Sequence, residues 1–221
     1  MQRFLSHTFI VFCFALSTLS QAVTVEDSKG TFTLDYTPQR VVVLEFSFAD
    51  ALASVNVSPV GIADDKDPSR VLQQVRDVIG DWQSVGTRSQ PSLEFISSLK
   101  PDLIIADIGR HESVYEDLLK IAPTLILPSR GETYKENLKA AATIGKVLGK
   151  DAEMQIRLKE HDVIMKTYAK KLPSDAVVQF GVARKDRFSI HTANAYAGGV
   201  IRSLGLINPE IGKDEKQATR Q

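Results

Sequence analysis

The feature that most narrows the fold is a repeated alternation of short β-branched runs with amphipathic stretches of about ten residues. "RVVVLE" (40–45), "PVGIAD" (59–64), "DLIIAD" (102–107) and "PTLILP" (123–128) are nearly continuous apolar runs, as strands covered on both faces require. Between and after them lie "ADALASVNV", "SLEFISSLK", "SVYEDLLKIA" and "YKENLKAAATIGKVLG", the last ended by Gly149, and these carry helical signals. Such alternation specifies βαβ units, hence a mostly parallel sheet with helices on both faces. "GTFTL" (30–34) is expected as an edge strand, Ser47 as a helix N-cap, and "VRDVIGDWQSVGT" (75–87) as a connection holding one short strand. Residues 23–149 thus make one α/β lobe.

A different element follows over residues 150–172. Met154, Leu158, His161, Met165, Tyr168 and Leu172 recur every three or four positions, which places them on one face of a helix roughly 33 Å long. Periodicity alone fits both a strut between two lobes and a surface helix laid on a sheet, with His161 as a packed histidine. After Pro173, "AVVQFGVAR" (176–184) and "RFSIHT" (187–192) read as strands around the turn "KD", and "YAGGVIRSLGL" reads as a short helix. The last fifteen residues, "INPEIGKDEKQATRQ", are polar. Residues 173–221 are therefore expected to be a partial second lobe that either packs on the first or belongs to a fragment.

Residues 1–22 read as a secretory leader. Arg3 precedes the apolar core "TFIVFCFALSTL", and Ser20 and Ala22 are small residues suited to cleavage before Val23; the core is shorter than the roughly 20 residues of a membrane span. The single cysteine, Cys13, lies inside it behind a bulky Phe12, so the mature chain has no thiolate for a disulfide, a metal or a nucleophile. With 27 basic against 27 acidic residues, the chain lacks the basic surplus of a nucleic-acid binder. An exported, cysteine-free, neutral protein fits a bacterial periplasm.

In an open parallel sheet, ligands bind beyond the carboxyl ends of the strands. Those ends carry Glu45-Phe46-Ser47, Asp64-Asp65, Arg88, Arg110, Arg130 and, in the second segment, Arg184. Guanidinium forks match carboxylates or phosphates in pairs of hydrogen bonds, so four at one rim suit a compact polyanion. Helix N-termini near Ser47, Ser92 and Ser113 add partial positive charge. The competing expectation is that each arginine simply solvates a loop, or pairs with Asp64, Asp65 or Glu45. No glycine-rich phosphate loop, G-x-S-x-G or H-E-x-x-H motif is present.

"TPQRVVVLEFSFADALASVNVSPVGIADD", "VGTRSQPSLEFISSLKPDLIIAD" and "IAPTLILPSRGETYKENLKAAATIGKVLG" resemble the iron-siderophore class of periplasmic substrate-binding proteins, most closely those serving citrate-dependent iron import. The resemblance runs from about Val23 to Leu206. It implies two parallel-sheet α/β lobes bridged by one long helix, the second lobe here incomplete, and a ferric dicitrate complex or related carboxylate siderophore held between them. Arg88, Arg110, Arg130 and Arg184 would meet the ligand's carboxylates, Glu45, Phe46 and Ser47 would line the cleft, and Glu94 would dock an inner-membrane ABC permease. No catalytic residue, protein-built metal site or cofactor is implied; iron arrives within the ligand, and the carrier is a monomer. Two readings stay open beside it, a truncated non-transporting product and an enzyme acting on an anionic small molecule.

Overall fold

The computed structural model describes residues 22–209. The expected leader, apart from Ala22, and the tail from residue 210 lie outside the described residues. The chain opens with an antiparallel hairpin, β1 (Val23–Asp27) and β2 (Gly30–Leu34), with Val23 opposite Leu34. Then follow β3 (Val41–Val43), α1 (Phe46–Ala53), β4 (Gly61–Ile62), α2 (Gln73–Ile79) and β5 (Gln83–Ser84). A small antiparallel pair, β6 (Gly86–Thr87) and β7 (Gln90–Pro91), leads into α3 (Leu93–Ser98) and β8 (Leu103–Asp107). Next come α4 (Ile108–His111), α5 (Tyr115–Leu119), β9 (Thr124–Leu127) and α6 (Tyr134–Val147). The series ends with α7 (Asp151–Ala169), β10 (Gly181–Arg184), β11 (Arg187–Ile190) and α8 (Tyr196–Ser203).

Five parallel strands form the main sheet in the order β5-β4-β3-β8-β9. Every residue of β3, β8 and β9 is buried, because alternate side chains leave for opposite faces and both faces are covered. Val41, Val43, Leu103 and Ile105 pack with Phe48, Leu52 and Ile144 on one side, while Val42, Ile104 and Ala106 pack with Ile96 and Leu118 on the other. The strand order reverses between β3 and β8, the topological switch point at which the carboxyl ends splay into a crevice.

Several expectations shift by one element. The stretch from Gln73 to Ile79 is helical, burying Val75 and Ile79, where only a connection was expected; two apolar residues four apart suffice once the sheet face is there to receive them. The residue capping α1 is Glu45, with extended backbone and no side-chain cap bond, and Ser47 stands inside the helix. Near Ser113 a helix does start, α5 at Tyr115, but its N-cap is Val114 with no side-chain cap bond, and Ser113 sits in the 3-10 turn that links it to α4. Ser92 does cap α3, its Oγ accepting the Phe95 amide at 3.3 Å.

The second segment also differs from the parallel lobe expected. β10 and β11 pair antiparallel, Gly181 opposite Ile190 and Arg184 opposite Arg187; a two-residue turn permits no other arrangement, since parallel strands need a long crossover. Val177 and Ile207 add a single parallel bridge. The segment rests on the first lobe through α8. Glycine is needed at Gly199, where a Cβ would stand 2.7 Å from the Tyr134 Cβ, and the rings of Tyr134 and Tyr196 meet edge-on at 5.8 Å. Tyr134 is also hydrogen-bonded through its hydroxyl to His161 Nε2 of α7 at 2.5 Å, the packed histidine that periodicity implied.

The helix α7 is joined to the first lobe at its beginning. Met154 is buried against Gly145 of α6, where a Cβ would come within 2.5 Å of the Met154 Cβ. Burial then fades along the helix: Leu158, His161 and Met165 are half-buried and Tyr168 is exposed.

Candidate functional site

At the switch point the side chain of Glu45 is buried between two arginines. Its Oε2 lies 3.5 Å from Arg88 Nη1 and its Oε1 lies 2.5 Å from Arg110 Nε. The second contact is ionic but falls outside hydrogen-bond alignment, so neither atom is hydrogen-bonded. Burial pushes the Glu45 carboxyl up to about 7, Asp107 adds to the rise, and the charges of Arg110 and Arg88 oppose it. Two half-buried guanidiniums fall short of offsetting the loss of water around this acid.

Arg88 is held on three sides. Its Nε and Nη2 donate to Asp65 Oδ2 at 3.0 and 2.9 Å, its backbone N–H donates to Asp65 Oδ1 at 2.8 Å, and its Cζ lies 4.1 Å from the centroid of the Phe46 ring. Arg70, at the end of the 3-10 turn Pro68–Arg70, completes the group: it pairs with the same Asp65 oxygen and its Cζ lies 5.6 Å from the Phe46 centroid. Burial would raise Asp65, yet hydrogen bonds from Arg88 and the charges of Arg88 and Arg70 hold it below the usual carboxylate range. Phe46 is thus a flat platform for two cations.

The loop bearing Arg88 is fixed by His111, which is wholly buried. The Asp107 amide donates to His111 Nδ1 at 2.9 Å and Nε2 lies 2.7 Å from the Arg88 carbonyl. A carbonyl only accepts, so Nε2 carries the hydrogen and the ring is neutral; burial pushes His111 below its usual range. Asp107 in turn accepts the Ser129 and Arg130 amides on Oδ1, at 2.7 and 3.1 Å. Asp64 has no part in this group. It is buried and accepts hydrogen bonds from Trp82 Nε1, Ser84 Oγ and the Lys66 amide.

Beside this cluster lies a cleft of about 580 Å3. Phe46, Ser47, Arg70, Ser129 and Glu132 line it from the first lobe, His191 and Tyr196 from the second. Ser47 Oγ and Ser129 Oγ hydrogen-bond at 2.8 Å. Glu132 is buried, with Oε1 accepting Asn137 Nδ2 at 2.9 Å and Oε2 unpartnered. Burial, aided by Asp107, Glu136 and Glu45, pushes its carboxyl up to about 7 against the Asn137 hydrogen bond.

Of the seven ligand candidates, Phe46 and Ser47 line the cleft, and Arg88, Arg110 and Glu45 form the ionic cluster next to it. Arg130 is exposed at the rim, its side chain in no ion pair among the described residues. Arg184 ends β10 at the exposed hairpin turn and is not among the lining residues. Arg88 and Arg110 meet the alternative expectation too, since both contact Glu45 and Arg88 contacts Asp65. Sequence reasoning missed Arg70, which precedes a helix with no cap signal, and Glu132. The one sign of Glu132 was its place before Thr133, whose T-x-x-E pattern forms a capping box on α6. Glu94 stands exposed in the first turn of α3.

The sequence profile described as periplasmic binding protein matches residues 41–220. The chain is 56% identical over 205 residues to the Fe(3+) dicitrate-binding periplasmic protein FecB of Escherichia coli K12, covering 91% of this chain and 68% of that one. The chain belongs to the periplasmic binding protein family. Within that family it is also 46% identical over 184 residues to the Fe(3+)-citrate-binding protein YfmC of Bacillus subtilis 168, covering 82% of this chain and 58% of the relative. Among solved structures, Staphylococcus aureus SirA complexed with staphyloferrin B superposes with a TM-score of 0.74 at 30% identity, covering 88% of this chain and 66% of that one. The chain therefore spans between 58% and 68% of the curated relatives just named. Its fold is the helical-backbone α/β fold of siderophore-binding proteins. The two curated relatives named here are binding proteins by description.

Proposed function

We propose that this chain captures ferric citrate, or a closely related ferric carboxylate complex, in the periplasm and hands it to an inner-membrane ABC permease for iron uptake. The observation that carries the reading is the guanidinium cluster of Arg70, Arg88 and Arg110 around Phe46 and Glu45 at the switch point, beside a cleft of about 580 Å3. Similarity to proteins named for ferric citrate supplies the ligand class.

The chemistry follows from charge and geometry. Citrate supplies the oxygen ligands of the iron, and carboxylates left at the periphery of the complex accept hydrogen bonds from arginines, with Arg130 available at the rim. Iron is cargo, and no covalent step or resident cofactor enters. Glu94 on the exposed start of α3 is the docking residue for the permease, the leader over residues 1–22 directs export, and the carrier acts as a monomer. An isothermal titration of the purified protein with ferric citrate, and separately with iron-free citrate, tests the reading. Saturable binding that favours the ferric complex is the expected result, and a folded protein giving no heat with either ligand refutes it. Glu94→Ala is expected to keep ligand affinity and lose transport, and unchanged uptake would remove the docking role.

A further inference from the structure

The wall of the cleft and the cluster beside it hold more acid than their cations can serve, although only Arg70 and Glu132 of these groups line the cleft itself. Glu45, Asp65, Asp107 and Glu132 gather there against Arg70, Arg88 and Arg110. Asp65 takes Arg70 and much of Arg88, and Asp107 is satisfied on Oδ1 by two backbone amides. That leaves Glu45 sharing Arg88 and Arg110, and leaves Glu132 with no cation within ion-pair reach among the described residues. Glu132 is only 8% exposed and its Oε2 is buried without a partner.

An anionic cargo makes this imbalance worse. Its carboxylates need the same guanidinium donors, so Arg88 and Arg110 must turn from the resident carboxylates to those of the cargo. Glu45 is then buried and deprived of its cations, Glu132 stays buried with none, and both stand near new negative charge, all of which favours their neutral forms. We infer that the cleft takes up protons together with its anionic cargo, Glu45 and Glu132 being the groups that receive them, an inference that rests on the carrier reading. Each protonation is the conversion of one carboxylate to one carboxylic acid, with solvent or buffer as proton donor.

The other groups facing these acids do not take over the role. Around Glu45 stand Arg88, Arg110 and Asp107; around Glu132 stand Glu136, Asp107, Glu45 and Tyr196, with Arg70, Asp50 and His191 elsewhere on the cleft wall. Asp65 is held low by its two arginines, and Tyr196 is pushed above its usual range, chiefly by burial. Both Glu45 and Glu132 already sit at about 7 without cargo, so at pH 7.5 each has proton capacity to fill.

The test is calorimetric titration with ferric citrate at pH 7.5 in two buffers of unlike ionisation enthalpy, with ligand blanks subtracted. The dependence of the apparent heat on the buffer gives the protons exchanged. Uptake of about one proton per complex bound is expected from linkage, falling by more than half in the Glu45→Gln, Glu132→Gln double variant. Binding by the wild-type protein without proton uptake overturns the inference, and so does equal uptake by the double variant. No binding by folded wild-type protein refutes the carrier reading itself and takes this inference with it. The wild-type measurement alone can refute, so a variant that fails to fold does not shelter the idea.

Discussion

Replacing Glu45 by glutamine isolates the stability effect of one buried acid. A glutamate has an ordinary value of 4.5, and Glu45 is pushed up to about 7 in the fold. The folded state therefore holds this proton more tightly than the unfolded state does. Its contribution is fully present below pH 4.5, declines as the unfolded chain ionises first, and is lost as pH rises through about 7. Worked between pH 5 and pH 8, the two values amount to about 2.5 kcal/mol of stability removed from the wild-type protein by this residue alone. Glutamine stays neutral throughout and keeps nearly the same shape, so Glu45→Gln should escape that loss. The measurement is urea unfolding of both proteins at pH 5, 6, 7 and 8, followed by the fluorescence of Trp82, the one tryptophan. Glu45→Gln should gain on the wild type by about 2.5 kcal/mol across that range. Taking the difference cancels other titrations, including that of His111, whose lowered value acts with the opposite sign, adding stability as pH rises. Parallel pH profiles for the two proteins would refute the claim that burial outweighs the two arginines at Glu45.

Four further outcomes are expected. Met154→Ala, emptying the contact with Gly145, should cost about 2–5 kcal/mol in urea unfolding, and Gly145→Val should cost about 1–3 kcal/mol by overpacking the same contact. Asp64→Ala, which strands the Trp82 and Ser84 donors, should cost about 1–3 kcal/mol and shift the Trp82 emission. Arg88→Lys keeps the charge but loses the paired contact with Asp65 and the stacking on Phe46, so ferric citrate affinity should fall at least about tenfold by calorimetry.

What the sequence revealed was the part governed by continuous burial. "LIIAD" and "TLIL" are buried at every position, and a run with no polar alternation can be little else than a central strand. The edges were harder. The sequence "VTVED" mixes charge into a five-residue strand and went unread, and the seven-residue α2 has no capping side chain to announce it. Glu45 was read as a strand end and is a helix cap, because β3 stops at Val43, one residue before its apolar run ends at Leu44. The site followed the same rule. Arginines at strand ends were visible by position, whereas their partners were not, because Arg88 meets Asp65 across 23 residues and His111 meets the Arg88 carbonyl across the same distance. Arg70 and Glu132 gain meaning only from what the fold brings beside them.

Because α7 is gripped near its start and progressively released, it behaves mechanically as a cantilever. Nineteen residues at 1.5 Å each give an arm of about 28 Å, so a tilt of about 5° at the root carries the free end through about 2.5 Å. That displacement is comparable to the length of a hydrogen bond. The Gly145–Met154 joint and the Tyr134–His161 hydrogen bond together fix the inner part of that arm, so any such swing belongs to the exposed end beyond His161, while Tyr196 is held separately by its contact with Tyr134.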